Sequence, residues 1–197
     1  MNIQEIVVSQ DFTTIQKYFN ETNPNDIFVQ MEQLKRKHQR ILFQKADPNI
    51  QLSDLLPEGI SAVTEVIHSG MNTLPLPKDL KRFEKRFCLP KDRKDVLFGY
   101  NEGVTRKVIG PGYFVLKSTK GNSTWEQRGG LVVDYFEVPD SDVVDGWPKV
   151  KKNSQGLQFF VYNKTRDFLR KVTDRVSIGV AYKKESCLDH YFLLLRR

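Results

Sequence analysis

Apolar positions recur at two different intervals along this chain, and the interval changes partway. In the first half they fall three and four residues apart, the spacing of a helix face. The segment DFTTIQKYFN places Phe12, Ile15 and Phe19 on one side, with Asp11 as the N-cap. The segment NPNDIFVQMEQLKRKHQRILFQKAD carries Ile27, Phe28, Met31, Leu34, His38, Ile41 and Leu42 on one stripe, predicting a single helix from near Pro24 to before Pro48. Its other face holds Lys35, Arg36, Lys37 and Arg40 and reads as solvated, and His38 reads as a core or boundary residue. Two short helices are expected next. One has Ile60, Val63, Val66 and Ile67 inward and stops at Gly70; the other carries Leu80, Phe83 and Phe87.

From about residue 95 the interval shortens to two. GYFVLKS reads as a strand, and so does a segment with Leu131, Val133 and Tyr135 on one side and Val132, Asp134 and Phe136 on the other. LQFFVYN is read as a further strand, and RVSIGVAYKK and DHYFLLLRR as a closing hairpin. Between them NKTRDFLRKV, with Phe168, Leu169 and Val172 apolar, is read as a helical turn. β-branched and aromatic enrichment with short links argues for antiparallel pairing. Five or six such strands with apolar faces favour closure, which removes exposed edges.

The fold class expected is therefore α+β: N-terminal helices followed by a C-terminal antiparallel β-barrel or strongly curved half-barrel. The expected division is a helical subdomain over residues 1–95, packing on or plugging the barrel, and a β domain over 96–197 with a short helix at 164–172. Residues 138–156 form a long loop rich in Pro, Gly, Asp and Ser.

Composition changes this picture little. The chain has 197 residues, 39% hydrophobic and 28% charged, with no apolar run of membrane-spanning length and no basic region before its first apolar residues. A cytoplasmic location is expected, and with it reduced Cys88 and Cys187. His38, His68 and His190 sit in no metal-ligand spacing, so neither metal nor cofactor is expected. The net charge is +7, most of it in residues 96–197, which hold 17 Lys and Arg against 11 Asp and Glu. The acids are interspersed and no nucleic-acid motif accompanies the charge, so nucleic acid is not the expected partner.

Three places carry candidate chemistry. Gly110-Pro111-Gly112 before Tyr113 and Phe114 fits a turn that starts a strand, and also fits close approach of a ligand to backbone. Trp147, between a glycine and a proline, fits a buried loop anchor or an aromatic lid. Asp134 beside Tyr135 needs a partner if it points inward, with Arg166, Arg170 and Arg175 as candidates.

The final segment FFVYNKTRDFLRKVTDRVSIGVAYKKESCLDHYFLLLRR resembles the C-terminal end of bacterial GXWXG-type proteins. The matching residues are Val161, Tyr162, Asp167, Arg170, Val172, Ile178, Gly179, Tyr191, Phe192, Leu194 and Arg196. The resemblance implies a calycin-like barrel of the kind that holds apolar ligands, and implies no catalytic residue.

The leading functional reading is non-catalytic binding of a small, mainly apolar or amphipathic molecule, lipid- or isoprenoid-like, inside the barrel. Tyr113, Phe114, Tyr135, Trp147, Phe159, Tyr162 and Tyr182 are the expected ligand contacts, with Ile178 as a further inward residue. Arg166 and Arg170 are expected to hold a polar head group at the rim. One alternative is an enzyme in the same cavity, with Asp134 as acid–base and Tyr135 or Arg170 as its polar partner. Another is an interaction module in which the helical half docks a protein and the barrel is solid.

Overall fold

Strand pairing in the computed structural model, which describes residues 2–197, runs round in chain order until the last strand returns to the first. Eight antiparallel strands form a closed barrel: β1 (Val66–Asn72), β2 (Arg82–Cys88), β3 (Val96–Glu102), β4 (Phe114–Ser118), β5 (Leu131–Asp134), β6 (Thr165–Lys171), β7 (Val176–Lys183) and β8 (Ser186–Arg196). Gly70 sits opposite Leu194 where β1 and β8 close the ring. The expected α+β order, helices and then an antiparallel barrel, is the order observed.

Four helices precede the barrel: α1 (Ile3–Ser9), α2 (Phe12–Glu21), α3 (Pro24–Gln33) and α4 (Arg36–Lys45). Asp11 caps α2, accepting the Thr14 N–H at 2.7 Å. The helix expected over 24–45 is broken at Leu34, whose backbone is extended. Buried side chains satisfy the freed groups: Gln39 donates to the Leu34 carbonyl at 3.0 Å, and the Lys35 N–H donates to His38 Nδ1 at 3.3 Å. The break lets both short helices lay their stripes on the outer barrel wall. Ile6, Ile15, Met31 and Leu42 share one apolar cluster there with Ile178, Val180, Leu193 and Leu195. The helices cover the barrel from outside and do not plug it.

The barrel begins about thirty residues earlier than the interval change suggests. β1 and β2 occupy the stretch expected to hold two helices, of which only the single turn α5 (Lys78–Lys81) and a 3-10 turn at Leu52–Leu55 are helical. Phe83 and Phe87 are four apart, a separation that satisfies both periods. The residue between them that faces the same way is Lys85, and a charge there hid the strand. The reverse error occurs at 158–171. The segment read as a strand is a helical turn, α8 (Gln158–Val161), because β5 pairs directly with β6 and leaves no edge for another strand. The segment read as a helix is β6. It loses simple alternation because α7 (Ser123–Arg128) covers its outer face, with Trp125 against Phe168 at 6.1 Å.

Inward positions alternate as a closed sheet requires. The lower interior is filled by the protein's own side chains: Phe87, Leu97, Phe114, Leu116, Leu131, Val133, Leu169 and Leu194. Three phenylalanines each lie over a cross-strand glycine whose missing Cβ makes the room: Phe83 over Gly70, Phe114 over Gly99 and Phe192 over Gly179. The long loop straps the outside, where Val143, Val144 and Trp147 pack on Cys88, Phe98 and Val115.

Candidate functional site

Above the filled part the barrel is open. A cavity of about 420 Å³ occupies the upper end, walled by Phe83, Tyr162, Ala181 and Phe192 and rimmed by Leu74, Leu76, Leu80, Ile109, Val161 and Leu188. That is the size of a pocket for one small molecule. Its floor is polar and comes from three strands and the turn after β5. Lys85 on β2 donates to Asn101 Oδ1 on β3 at 2.9 Å and to the Tyr135 hydroxyl, just past β5, at 2.5 Å. Lys85 Nζ lies 3.3 Å from Asp167 Oδ2 on β6. The Tyr135 hydroxyl donates to the same carboxylate oxygen at 3.2 Å, and Asn101 Nδ2 donates to the Gly112 carbonyl at 3.0 Å.

Lys85 is 2% exposed, and its ammonium is ringed by aromatic faces: Phe114 at 4.9 Å, Tyr135 at 5.1 Å and Phe192 at 5.2 Å. Burial lowers the Lys85 pKa, with Asp167 opposing the shift. Burial likewise raises the pKa of Asp167, opposed by Lys85. The two shifts converge, as expected for an ion pair in an apolar site. Desolvation holds the Tyr135 phenol well above its ordinary range, so it stays a neutral donor. Asp167 uses Oδ2 for both partners and receives no hydrogen bond on Oδ1 among the described residues. The floor therefore keeps one free acceptor.

The Gly-Pro-Gly turn serves this floor. Gly112 has φ +54°, and a Cβ there would lie 2.4 Å from the Tyr162 ring. Its backbone is held by Asn101 and by Gln158, which accepts the Gly112 N–H at 3.3 Å. The bare glycine lets Tyr162 stack on Tyr135, centroids 5.2 Å apart and planes 20° apart. The turn both starts β4 and seats a cavity wall.

Of the residues singled out from sequence, Tyr135 and Tyr162 line the cavity. Phe114 lies beneath the floor, against Lys85 and Tyr135. The others lie elsewhere. Asp134 alternates outward and pairs with Arg166, one of its three candidate partners, at 3.0 Å on the outer wall. Arg170 is also outside; it donates to the carbonyls of Phe43, Gln127 and Arg128 and so ties α4 and α7 to the barrel. Tyr113 and Trp147 pack with Tyr100 under the strap, and Trp147 donates to Glu65 at 2.6 Å. Tyr182 and Ile178 face the outer cover, and Phe159 is exposed on α8. Sequence reasoning missed Lys85, Asn101 and Asp167. The available signal was phase: in Phe83-x-Lys85-x-Phe87 the lysine shares a side with two phenylalanines, and in Asp167-x-Leu169 the carboxylate shares a side with a core leucine.

Among the described residues no helix is long and apolar enough to cross a membrane. Compared with known protein families, with curated proteins and with solved structures, the chain matches none.

Proposed function

We propose that this protein binds one small, mainly apolar molecule in the upper barrel, with a hydrogen-bond donor at its polar end. The observation that carries this reading is the cavity itself: apolar walls over a buried, internally neutralised floor with one unused carboxylate oxygen. A ligand carboxylate or phosphate would meet Asp167 at that floor, so the head group is a hydroxyl or N–H donor and not the anion expected at Arg166 and Arg170. A calycin-like barrel, as the resemblance implies, would suit the same apolar cargo. The Gly-x-Trp-x-Gly motif of the resembled family is absent from the chain, so the proposal rests on the cavity and not on that resemblance.

A specific observation favours a second reading, catalysis at the same floor. Lys85 and Asp167 both line the cavity with Nζ and Oδ2 3.3 Å apart, a geometry that suits proton transfer to a carbonyl compound, with Lys85 and Asp167 in the roles first assigned to Asp134 and Tyr135.

Titration with an anilinonaphthalene dye that brightens in apolar surroundings tests the binding reading. Saturable binding of one dye per chain, lost in Ala181→Trp, is expected, because that side chain fills the cavity from β7. Equal dye binding in the filled variant contradicts it.

A further inference from the structure

The cavity opens through a rim of apolar side chains that nothing in the fold covers. Val104 is 73% exposed and Val108, on α6 (Arg106–Ile109), is 71% exposed. On α8 and just before it, Leu157, Phe159, Phe160 and Val161 are 54%, 45%, 72% and 43% exposed. Leu76 and Leu188 project from two further segments of the same mouth. An isolated exposed valine needs no explanation, but Phe159 and Phe160, next in the chain to Val161 of a mouth also lined by Leu76, Val104 and Leu188, do.

Positive charge lies among them. Lys107 sits on α6, Lys152 precedes α8, Lys164 follows it, and Lys184 lies in the β7–β8 turn, its N–H bonded to the Lys164 carbonyl at 3.0 Å. All four are exposed. The lysines that pair with carboxylates are Lys17, Lys78, Lys85, Lys91, Lys117 and Lys171, leaving these four free among the described residues.

We infer that the barrel mouth docks on the surface of a bilayer containing anionic lipid. The exposed apolar side chains come from separate segments, around Leu76, Val104 and Val108, Leu157–Val161 and Leu188, with the unpaired lysines as their neighbours in the chain. A protein-binding groove would instead gather its apolar side chains into one concave face. Exposed phenylalanine and valine side chains suit the acyl boundary, and neighbouring unpaired lysines suit phosphate head groups. The placement also has a use that rests on the proposed function: an apolar ligand passes between bilayer and cavity without crossing water.

Vesicle flotation with the full chain tests this, comparing phosphatidylcholine alone with an equal mixture of phosphatidylcholine and phosphatidylglycerol. Binding to the mixed vesicles is expected, with little to phosphatidylcholine. Phe160→Ser should weaken it about tenfold, and Lys164→Glu by about fivefold or more. Val29→Ser, at an equally apolar exposed site on α3 (52% exposed), should leave it unchanged. A polarity-sensitive fluorophore on exposed Cys187, beside Leu188, should blue-shift on mixed vesicles; Cys88 is buried and stays unlabelled. No vesicle binding, equal binding to both compositions, or indifference to Phe160→Ser overturns the inference. So does self-association that Phe160→Ser abolishes, which would give the rim to a second copy. Dye uptake by the same protein without vesicles reports on the cavity separately, so the two readings fail independently.

Discussion

His68 and Lys85 face each other across β1 and β2, point into the same barrel and are both buried, yet they belong to opposite kinds of interior. His68 looks down into the filled end. Its Nε2–H donates to the Leu55 carbonyl at 2.9 Å, its ring meets Phe87 at 5.0 Å, and desolvation pushes its pKa down to about 4. That end tolerates a titratable ring by keeping it neutral. Lys85 looks toward the open end and meets a carboxylate, a phenol and an amide. A packed end needs no charges, whereas a polar floor beneath an apolar chamber has to be built from partners that cancel one another. The packed end supplies stability, and the polar floor is where the proposed ligand would be recognised.

The largest expected effect breaks the packed end. Phe87→Ala should cost roughly 3–5 kcal/mol in urea unfolding, since the fully buried ring leaves a cavity. Phe83→Ala, on the cavity wall, should cost less than half of that. A cost at Phe83 equal to that at Phe87 would erase the distinction between the ends.

Breaking the floor comes next. Asp167→Ala strands a buried ammonium and should cost about 3 kcal/mol or more. The double variant Lys85→Met with Asp167→Leu should recover most of that loss, while the small molecule that native mass spectrometry finds on the native protein should be missing from it. That outcome places the pair in recognition; a double variant as unstable as the single one would make it a structural brace.

A pH comparison sharpens the other side. The folded-state pKa of His68 is depressed to about 4 from 6.5, so its contribution is complete above pH 6.5 and is lost as pH falls through that window. About 3 kcal/mol should disappear between the two values. Unfolding at stepped pH should show His68→Gln losing less over this window than the native chain. Parallel pH curves for the two would contradict the assignment.

The smallest effect on stability is the most specific. Ala181→Trp should change unfolding by less than about 1 kcal/mol, because the new ring enters existing space. A large loss would mean that the upper interior is packed after all.

The class of the fold could be read from the chain because its strongest signals are local. The Asp11 cap, the stripe through Ile15 and Phe19, and the alternation of Leu131, Val133 and Tyr135 are set by neighbours in sequence, and each recurs in the structure. The site was less legible because it depends on phase and closure. Lys85 breaks the apolar pattern of β2, so the rule that charges face water turned that strand into a helix. Asp167 lies in a strand covered on both faces, where alternation is masked. Arg166 and Arg170 looked available for a ligand, yet α4, α7 and Asp134 claim them on the outer wall. Only ring closure brings Lys85 and Asp167, 82 positions apart, to 3.3 Å.

Native mass spectrometry of the protein after gentle extraction decides whether the upper barrel holds one small molecule, as proposed. The expected spectrum holds a population heavier than the bare chain by the mass of a single apolar compound, present in the native protein and missing from Ala181→Trp. A bare chain alone in the native protein, or the same added mass in the filled variant, would contradict it.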